Sequence, residues 1–158
     1  MFTYYFGTKD RFVLTALNQI YDTFIEELSQ STSKGNDLER VLFQLAKFSR
    51  DNREIITSLV SDVILSEVVV SRFLRKNFSK HFKLLALALK TFLKSRNLRV
   101  KDQNHAIRFL IGAVGVPNIL LEVYNRGATK KVLPESDSEL YMRTEAAIHG
   151  LKSKFCKE

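Results

Sequence analysis

The sequence predicts an all-α protein, because apolar residues recur at helical spacing along nearly the whole chain and almost no stretch alternates like a strand. Helix start and stop signals divide the chain into about six helices. A chain of 158 residues is long enough to bury a core of its own, and no long polar linker or internal repeat divides it. We therefore expect one helical bundle.

The first two helices are predicted from caps and apolar stripes. Thr8 is a candidate N-cap for the first helix, which should end in the serine-rich stretch 29–33. Its apolar stripe comprises Val13, Leu17, Ile20, Phe24 and Leu28. Asn36 and Glu39 have the spacing of a capping box and predict the start of a second helix. The apolar face of that helix comprises Leu38, Val41, Leu42, Leu45 and Phe48.

The middle of the chain predicts a third and a fourth helix. Asp51 and Glu54 repeat the capping spacing and indicate the start of the third. The valines at 68–70 favour a strand by composition, but no turn dipeptide flanks them, so we predict a break near Ser66 followed by helix. The fourth helix is long and should end at residues 95–97. Its apolar stripe comprises Phe78, Phe82, Leu85, Leu89 and Phe92.

The last third of the chain predicts two more helices. Asp102 is a candidate N-cap for the fifth, which is apolar on nearly every side from Ala106 to Tyr124. Pro117 should kink or break this helix. Ser136 and Glu139 form a candidate capping box for the sixth. The stripe of the sixth helix comprises Leu140, Thr144, Ala147, Ile148, Leu151 and Phe155.

Composition favours a soluble cytoplasmic protein. The single cysteine, Cys156, excludes an internal disulfide, which is typical of a reducing compartment. The longest apolar run, residues 109–117, is shorter than the ~18 residues that span a bilayer, so we expect no membrane association. Lys9, Asp10 and Arg11 interrupt the opening stretch, which therefore lacks the apolar region of a secretory signal.

No arrangement of residues points to catalysis. His81, His105 and His149 lie far apart, and none has a second ligand type at a familiar metal spacing. The chain contains no phosphate-binding loop, dinucleotide fingerprint or nucleophile elbow. We therefore expect a protein that is not an enzyme and that has no catalytic residues, bound metal or cofactor.

Positive charge is concentrated in one segment. The net charge is +8 and the pI is about 9.7. Ten basic residues and no acid occur between Arg72 and Lys101: Arg72, Arg75, Lys76, Lys80, Lys83, Lys90, Lys94, Arg96, Arg99 and Lys101. Such a segment either attracts an anion or forms the solvated face of a long helix. The helical spacing of the aromatic residues between the charges favours the solvated face.

The opening stretch MFTYYFGTKDRFV carries a family resemblance. An aromatic cluster ends at Phe6, a Gly7–Thr8 turn follows, and Lys9–Asp10 opens an apolar helix. This order resembles the end of the DNA-binding motif in the tetracycline-repressor (TetR) family. The resemblance implies that residues 1–8 are the remnant of a helix-turn-helix, and that residues 9–158 are a TetR-like helical domain for ligand binding and dimerisation.

The resemblance also implies roles at the opening. Tyr4, Tyr5 and Lys9 resemble the group that contacts DNA phosphates, and Thr3 replaces a tyrosine that the family usually has there. A tyrosine hydroxyl can donate to phosphate, and a lysine at a helix start adds a cation beside free backbone N–H groups. The earlier helices of the motif are absent from the sequence. We expect the codons upstream of Met1 to encode them, unless the protein is headless.

The resemblance implies a ligand-responsive transcriptional regulator, and specifically a repressor. It would form a homodimer, bind operator DNA when its N-terminal head is present, and respond to an apolar small-molecule effector. Large apolar residues on middle helices are more often plain core than pocket lining. The candidate pocket residues are Phe43, Phe48, Phe78, Phe82 and Phe109. Candidate dimer residues on the sixth helix are Ala147, Ile148, Gly150 and Leu151. Two alternatives are a headless dimerisation or ligand-binding module and a helical carrier of apolar molecules.

Overall fold

The computed structural model describes residues 9–33, 38–64 and 68–157. In these ranges the chain forms an all-α bundle with one short antiparallel ribbon, which confirms the predicted fold class. The helices are α1 (Lys9–Ser33), α2 (Leu38–Asp51), α3 (Arg53–Ile64), α4 (Val68–Ser95), α5 (Gln103–Val114), α6 (Val116–Gly127) and α7 (Asp137–Phe155). The ribbon pairs β1 (Arg99–Val100) with β2 (Cys156–Lys157).

Helix α2 lies at the centre of the bundle. It packs against all six other helices, which explains why its buried residues extend around more than one face. Leu38, Val41, Leu42 and Leu45 are buried as predicted, and Phe48 is half-buried. Arg50 ties the end of α2 to the start of α7, because its Nη1 lies 2.6 Å from Asp137 Oδ1.

The predicted stripes of α1 and α4 face the interior. Leu17, Phe24 and Leu28 of α1 are buried against α4 and α2. Leu85, Leu89 and Phe92 of α4 are also buried. The valines at 68–70 are helical, as predicted. The predicted cap Asn36 and the predicted break at Ser66 lie outside the described residues.

Helix α4 ends where the sequence predicts, in a Schellman motif. Asn97 has a φ of 51°, the left-handed conformation that this motif requires. The Leu98 N–H donates to the Leu93 carbonyl at 2.9 Å, and the Asn97 N–H donates to the Lys94 carbonyl at 3.3 Å. The chain therefore reverses direction and enters β1 with its last helical carbonyls satisfied.

The predicted fifth helix is two helices. Asp102 caps α5 by accepting from the His105 N–H at 3.0 Å, as expected. The helix breaks at Gly115, and α6 starts with Pro117 in its first turn and a bend of 41° from α5. Proline has no N–H to continue the ladder, so the predicted break is confirmed. Ser49 Oγ donates to the Gly115 carbonyl at 2.5 Å and fixes the break to α2.

One predicted helix start is present in the structure and another lies elsewhere. The capping box of Ser136 and Glu139 is present at the start of α7. The prediction that Asp51 starts the third helix is wrong, because Asp51 is the last residue of α2 and its carboxylate accepts from Arg50 Nε at 2.8 Å. The ribbon was not expected, since two-residue strands leave no alternation pattern in a sequence.

No helix in the described part of the chain is by itself long and apolar enough to cross a membrane; α5 and α6 pass such a test only when the two halves are taken together.

Candidate functional site

A groove of about 450 Å³ opens between α1 and α2. Its floor contains Phe24 and Phe48, whose rings stack with centroids 3.9 Å apart. Its rim carries both charge signs, with Glu27 on α1 and Lys47 and Asp51 on α2. We call it the polar groove; its lining comprises Gln19, Ile20, Thr23, Phe24, Glu27, Gln44, Lys47, Phe48, Asp51 and Asn52. An apolar floor and a polar rim suit an amphipathic small molecule.

A second groove of about 420 Å³ lies between α1 and α3. It shares Ile20 with the polar groove, so the two adjoin along α1. We call it the apolar groove; its lining comprises Phe12, Ala16, Leu17, Ile20, Glu54, Ile55, Ser58 and Leu59. Phe12 and Ile55 each expose more than a third of their surface here. Exposed large apolar side chains in a concave surface indicate a binding region.

A buried polar network lies behind the floor of the polar groove. The Tyr21 hydroxyl donates to the Asn77 backbone carbonyl at 2.6 Å and lies 2.7 Å from His81 Nδ1. The ring centroids of His81 and Phe24 are 6.4 Å apart, which connects the network to the groove floor. The network joins α1 to α4, the pair that encloses this side of the bundle.

The network is held in its neutral state. Burial lowers the pKa of His81 from 6.5 to about 4. Burial also raises the pKa of Tyr21 to about 12, and the nearby Asp22 charge adds a smaller rise. Both groups are therefore uncharged at neutral pH, which suits the apolar surroundings of Phe24 and Phe73.

A polar seam joins α3 to α6. Arg53 Nε lies 3.4 Å from Glu122 Oε2, close enough for an ion pair but without hydrogen-bond alignment. Arg126 donates to the Glu54 carbonyl and to Ser58 Oγ. Asn118 is only 1% exposed, and neither atom of its amide finds a hydrogen-bond partner among the described residues. No sequence pattern predicts this seam, because its polar residues are spaced like ordinary surface positions.

The structure separates the predicted pocket residues. Phe48 lines the polar groove, and Phe82 is half-buried beside His81 with ring centroids 4.9 Å apart. Phe43 lines neither of the two grooves; it is buried and stacks on Tyr141 of α7 with centroids 4.0 Å apart.

Phe109 also lies outside the linings of the polar groove and the apolar groove. It packs on Phe155, with ring centroids 4.8 Å apart, and lies close to Gly150. The side chain of Phe78 lies outside the described residues. Of the four predicted pocket residues whose side chains the structure describes, Phe48 alone lines either of the two grooves.

The predicted phosphate contacts cannot be located in the structure. Thr3, Tyr4 and Tyr5 lie outside the described residues, as does the side chain of Lys9. The backbone of Lys9 begins α1, which agrees with the predicted start of the first helix. Their DNA role stays a prediction.

The predicted dimer residues are used inside one chain. Ala147, Ile148 and Leu151 are buried in the core that α7 forms with α2 and α5. Gly150 faces Phe109, since a Cβ placed there would lie 3.0 Å from Phe109 Cζ. Ala147, Ile148 and Leu151 are thus packed within one chain, where the small residues of α7 let α5 approach closely. Dimerisation itself stays a prediction.

The apolar surplus predicted for the fifth helix is exposed on α6. Leu120, Val123 and Tyr124 expose 61%, 53% and 60% of their surface. Further exposed apolar side chains on α6, α7 and their connection are Val116, Val132, Leu133, Tyr141 and Met142. We call these eight residues the apolar face. The part of this face on α6 is predicted by the sequence, in which the predicted fifth helix is apolar on nearly every side up to Tyr124.

In the three described ranges, no group of three or more His, Cys, Asp or Glu side chains is placed to hold a metal ion. In comparisons with protein-family models, curated proteins and solved structures, none matches the chain. Fold and grooves together define a helical bundle with an open, amphipathic cleft along one helix.

Proposed function

We propose that this chain is the regulatory body of a TetR-type transcriptional regulator, and that the regulator is a cytoplasmic repressor. The observation that carries the proposal is the position of α1. This helix forms one wall of both grooves and follows directly on the residues that resemble the end of a recognition helix. A molecule bound in either groove would contact the helix that connects to a DNA-binding head.

The effector is an amphipathic molecule with an apolar body. The stacked rings of Phe24 and Phe48 offer an apolar floor, while Lys47, Glu27 and Asp51 offer polar contacts at the rim. The volume of about 450 Å³ falls in the range of small-molecule sites. Binding changes the position of α1 only if the effector has different affinities for two arrangements of that helix.

The second element of the proposal is a homodimer that uses the apolar face of α6 and α7. Val116, Leu120, Val123 and Tyr124 lie within about 100° of one another around α6, and exposed apolar patches of this kind are typical of protein interfaces. A two-fold interface would present two heads to a symmetric operator. This surface lies on helices other than α1, so effector binding and dimerisation use separate parts of the chain.

A fluorescent probe tests the groove. Anilinonaphthalene sulfonate combines aromatic rings with one anionic group, which matches the floor and Lys47 of the polar groove. We expect saturable fluorescence enhancement with the unmodified chain. Thr23→Trp should fill the groove and weaken probe binding by about tenfold. A tenfold change in the dissociation constant corresponds to ~1.4 kcal/mol of binding free energy.

A matched control is available on the same helix. Thr15 and Thr23 each donate a hydroxyl hydrogen bond to the carbonyl four residues earlier, but only Thr23 lines the polar groove. Thr15→Trp should therefore leave probe binding unchanged. Equal loss in both variants, or no saturable binding, would contradict the proposed effector site. Saturable binding by a chain that stays monomeric would favour the helical carrier instead.

A further inference from the structure

Five basic residues form a straight row on α4. Their spacing of four, seven, seven and four residues places them within about 40° of one another around the helix, at about 100° per residue. All five are exposed. We call this row the basic stripe; it comprises Arg72, Lys76, Lys83, Lys90 and Lys94.

The charges of the basic stripe are not neutralised by the rest of the bundle. No residue of the stripe forms an ion pair with any residue in the described ranges. Lys80, beside the stripe, does reach an acid, since its Nζ lies 3.7 Å from Asp22 Oδ1. The stripe therefore presents its full charge to solvent.

More positive charge gathers at the C-terminal end of α4. Arg96 and Lys152 both lie over the ring of Phe92, at 4.8 and 5.7 Å from its centroid. Arg99 stands directly opposite Lys157 in the β1–β2 ribbon. Like charges opposite each other in a ladder destabilise it, and a bound polyanion would relieve the repulsion. These cations lie at the C-terminal end of α4, but Phe92 points about 180° away from the basic stripe around the helix, so they adjoin the end of α4 and are not part of the stripe.

We propose that the basic stripe is a sequence-independent docking surface for the phosphate backbone of duplex DNA. From Arg72 to Lys94 it extends about 33 Å, at 1.5 Å per residue, which is close to one turn of B-DNA at ~34 Å. Four of its five members are lysines. Lysine offers a point charge that suits phosphate, whereas base reading favours the bidentate fork of arginine.

Other polyanionic partners fit the stripe less well. Single-stranded nucleic acid is bound by exposed aromatic rings, but Phe73 and Phe92 of α4 are buried and Phe82 is half-buried. A membrane surface is bound by apolar side chains that insert beside the basic ones. On the described part of α4, Leu87 is the single large apolar side chain that is strongly exposed.

The proposal does not rest on the proposed regulatory function, because it needs neither an effector nor a dimer. It is tested by fluorescence anisotropy of the whole chain with a labelled duplex of about 30 base pairs and arbitrary sequence, from about 50 to 200 mM salt. We expect weak binding, with a dissociation constant of ~10⁻⁴ to 10⁻⁶ M that rises steeply with salt. A duplex of shuffled sequence should bind equally well.

The key variant is Lys76→Gln with Lys83→Gln and Lys90→Gln. Each lost phosphate contact flattens the slope of log K against log salt by about 0.9, so the triple variant should flatten it by about 2.7 and bind at least about tenfold more weakly at low salt. The matched control is Arg40→Gln with Lys130→Gln and Lys131→Gln, three exposed positions off the stripe with the same loss of charge. Circular dichroism melting checks that both variants remain folded.

We expect the control variant to keep most of its affinity and slope. Equal losses in the two variants would overturn the proposal, because binding would then follow net charge alone. Absence of duplex binding by the unmodified chain at low salt would also overturn it. So would binding to vesicles of phosphatidylserine and phosphatidylcholine without binding to duplex, which would assign the stripe to a membrane surface.

Discussion

The Tyr21 hydroxyl lies 2.7 Å from His81 Nδ1 and donates its one proton to the Asn77 carbonyl at 2.6 Å. A carbonyl can only accept, so the hydroxyl has no proton left for the imidazole, and Nδ1 must be the donor. His81 is therefore the Nδ1-protonated tautomer at neutral pH. This relationship joins α1 to α4 behind the polar groove and couples the stability of the bundle to the protonation of His81.

Acid should weaken the fold through His81. Its pKa is about 4 in the folded chain and about 6.5 in the unfolded chain, so below pH 6.5 the unfolded chain binds the proton first. Stability contributed by the neutral imidazole is complete above pH 6.5 and declines as the pH falls to about 4, by up to roughly 3 kcal/mol. Urea unfolding at a series of pH values measures this loss.

Carboxylates also titrate near the lower end of that window, so the test is a difference between variants. His81→Gln should have a flatter stability profile between pH 6.5 and 4 than the unmodified chain. His105→Gln, at an exposed position, should keep the original profile. If His81→Gln and the unmodified chain lose stability in parallel, the buried neutral imidazole is not the cause.

Removing the Tyr21 hydroxyl should destabilise the bundle. Tyr21→Phe leaves the His81 Nδ1–H without its acceptor in a buried site, which costs about 1–3 kcal/mol. Thr129→Val removes a hydroxyl from an exposed side chain and should change stability by less than about 0.5 kcal/mol. Thermal or urea unfolding of the two variants decides the point, and equal effects would count against the network.

Two glycines should respond differently to alanine. Gly112 lies within α5 with no atom within 4 Å of an added Cβ, so Gly112→Ala should stabilise the chain by about 0.5–1 kcal/mol through helix propensity. At Gly150 an added Cβ would lie 3.0 Å from Phe109 Cζ, so the same gain should be lost to crowding. A Gly150→Ala variant as stabilised as Gly112→Ala would show that α5 and α7 are not packed closely there.

Asn118 should be replaceable by an apolar residue. Its amide is buried without partners among the described residues, and replacing an unsatisfied polar group by an apolar one of similar size is neutral or stabilising. We expect Asn118→Leu to raise the free energy of unfolding by up to about 1 kcal/mol, and Asn118→Asp to lower it by more than that. Destabilisation by Asn118→Leu would mean that the amide makes a hydrogen bond that stabilises the fold.

The helices and their inner faces are predictable from the sequence because each has a local cause. Asp102 and Ser136 cap their helices with their own side chains, Asn97 takes the left-handed conformation that ends α4, and Pro117 breaks a helix by lacking an N–H. Asp51 misleads because its spacing to Glu54 matches a capping box, whereas its carboxylate pairs with Arg50.

The candidate site is less predictable because it depends on which helices meet. Phe43 and Phe48 lie on the same helix, yet one stacks on α7 and the other on α1. The small residues of α7 suit close helix packing, but the sequence does not say whether the partner helix belongs to the same chain. The structure assigns that contact to Phe109 and Gly150. Only packing distinguishes these alternatives.

The central claim, a regulatory body that dimerises through α6 and α7, is tested most directly by sedimentation equilibrium at micromolar concentration. We expect about twice the chain mass of 18.2 kDa for the unmodified protein. Leu120→Glu, on the apolar face, should reduce the mass to one chain, while Val60→Glu, at an exposed apolar position on α3, should leave the dimer intact. Ile148→Glu is unsuitable, since Ile148 is buried and a charge there would unfold the chain. A monomeric mass for the unmodified protein, or a dimer that survives Leu120→Glu, would contradict the account.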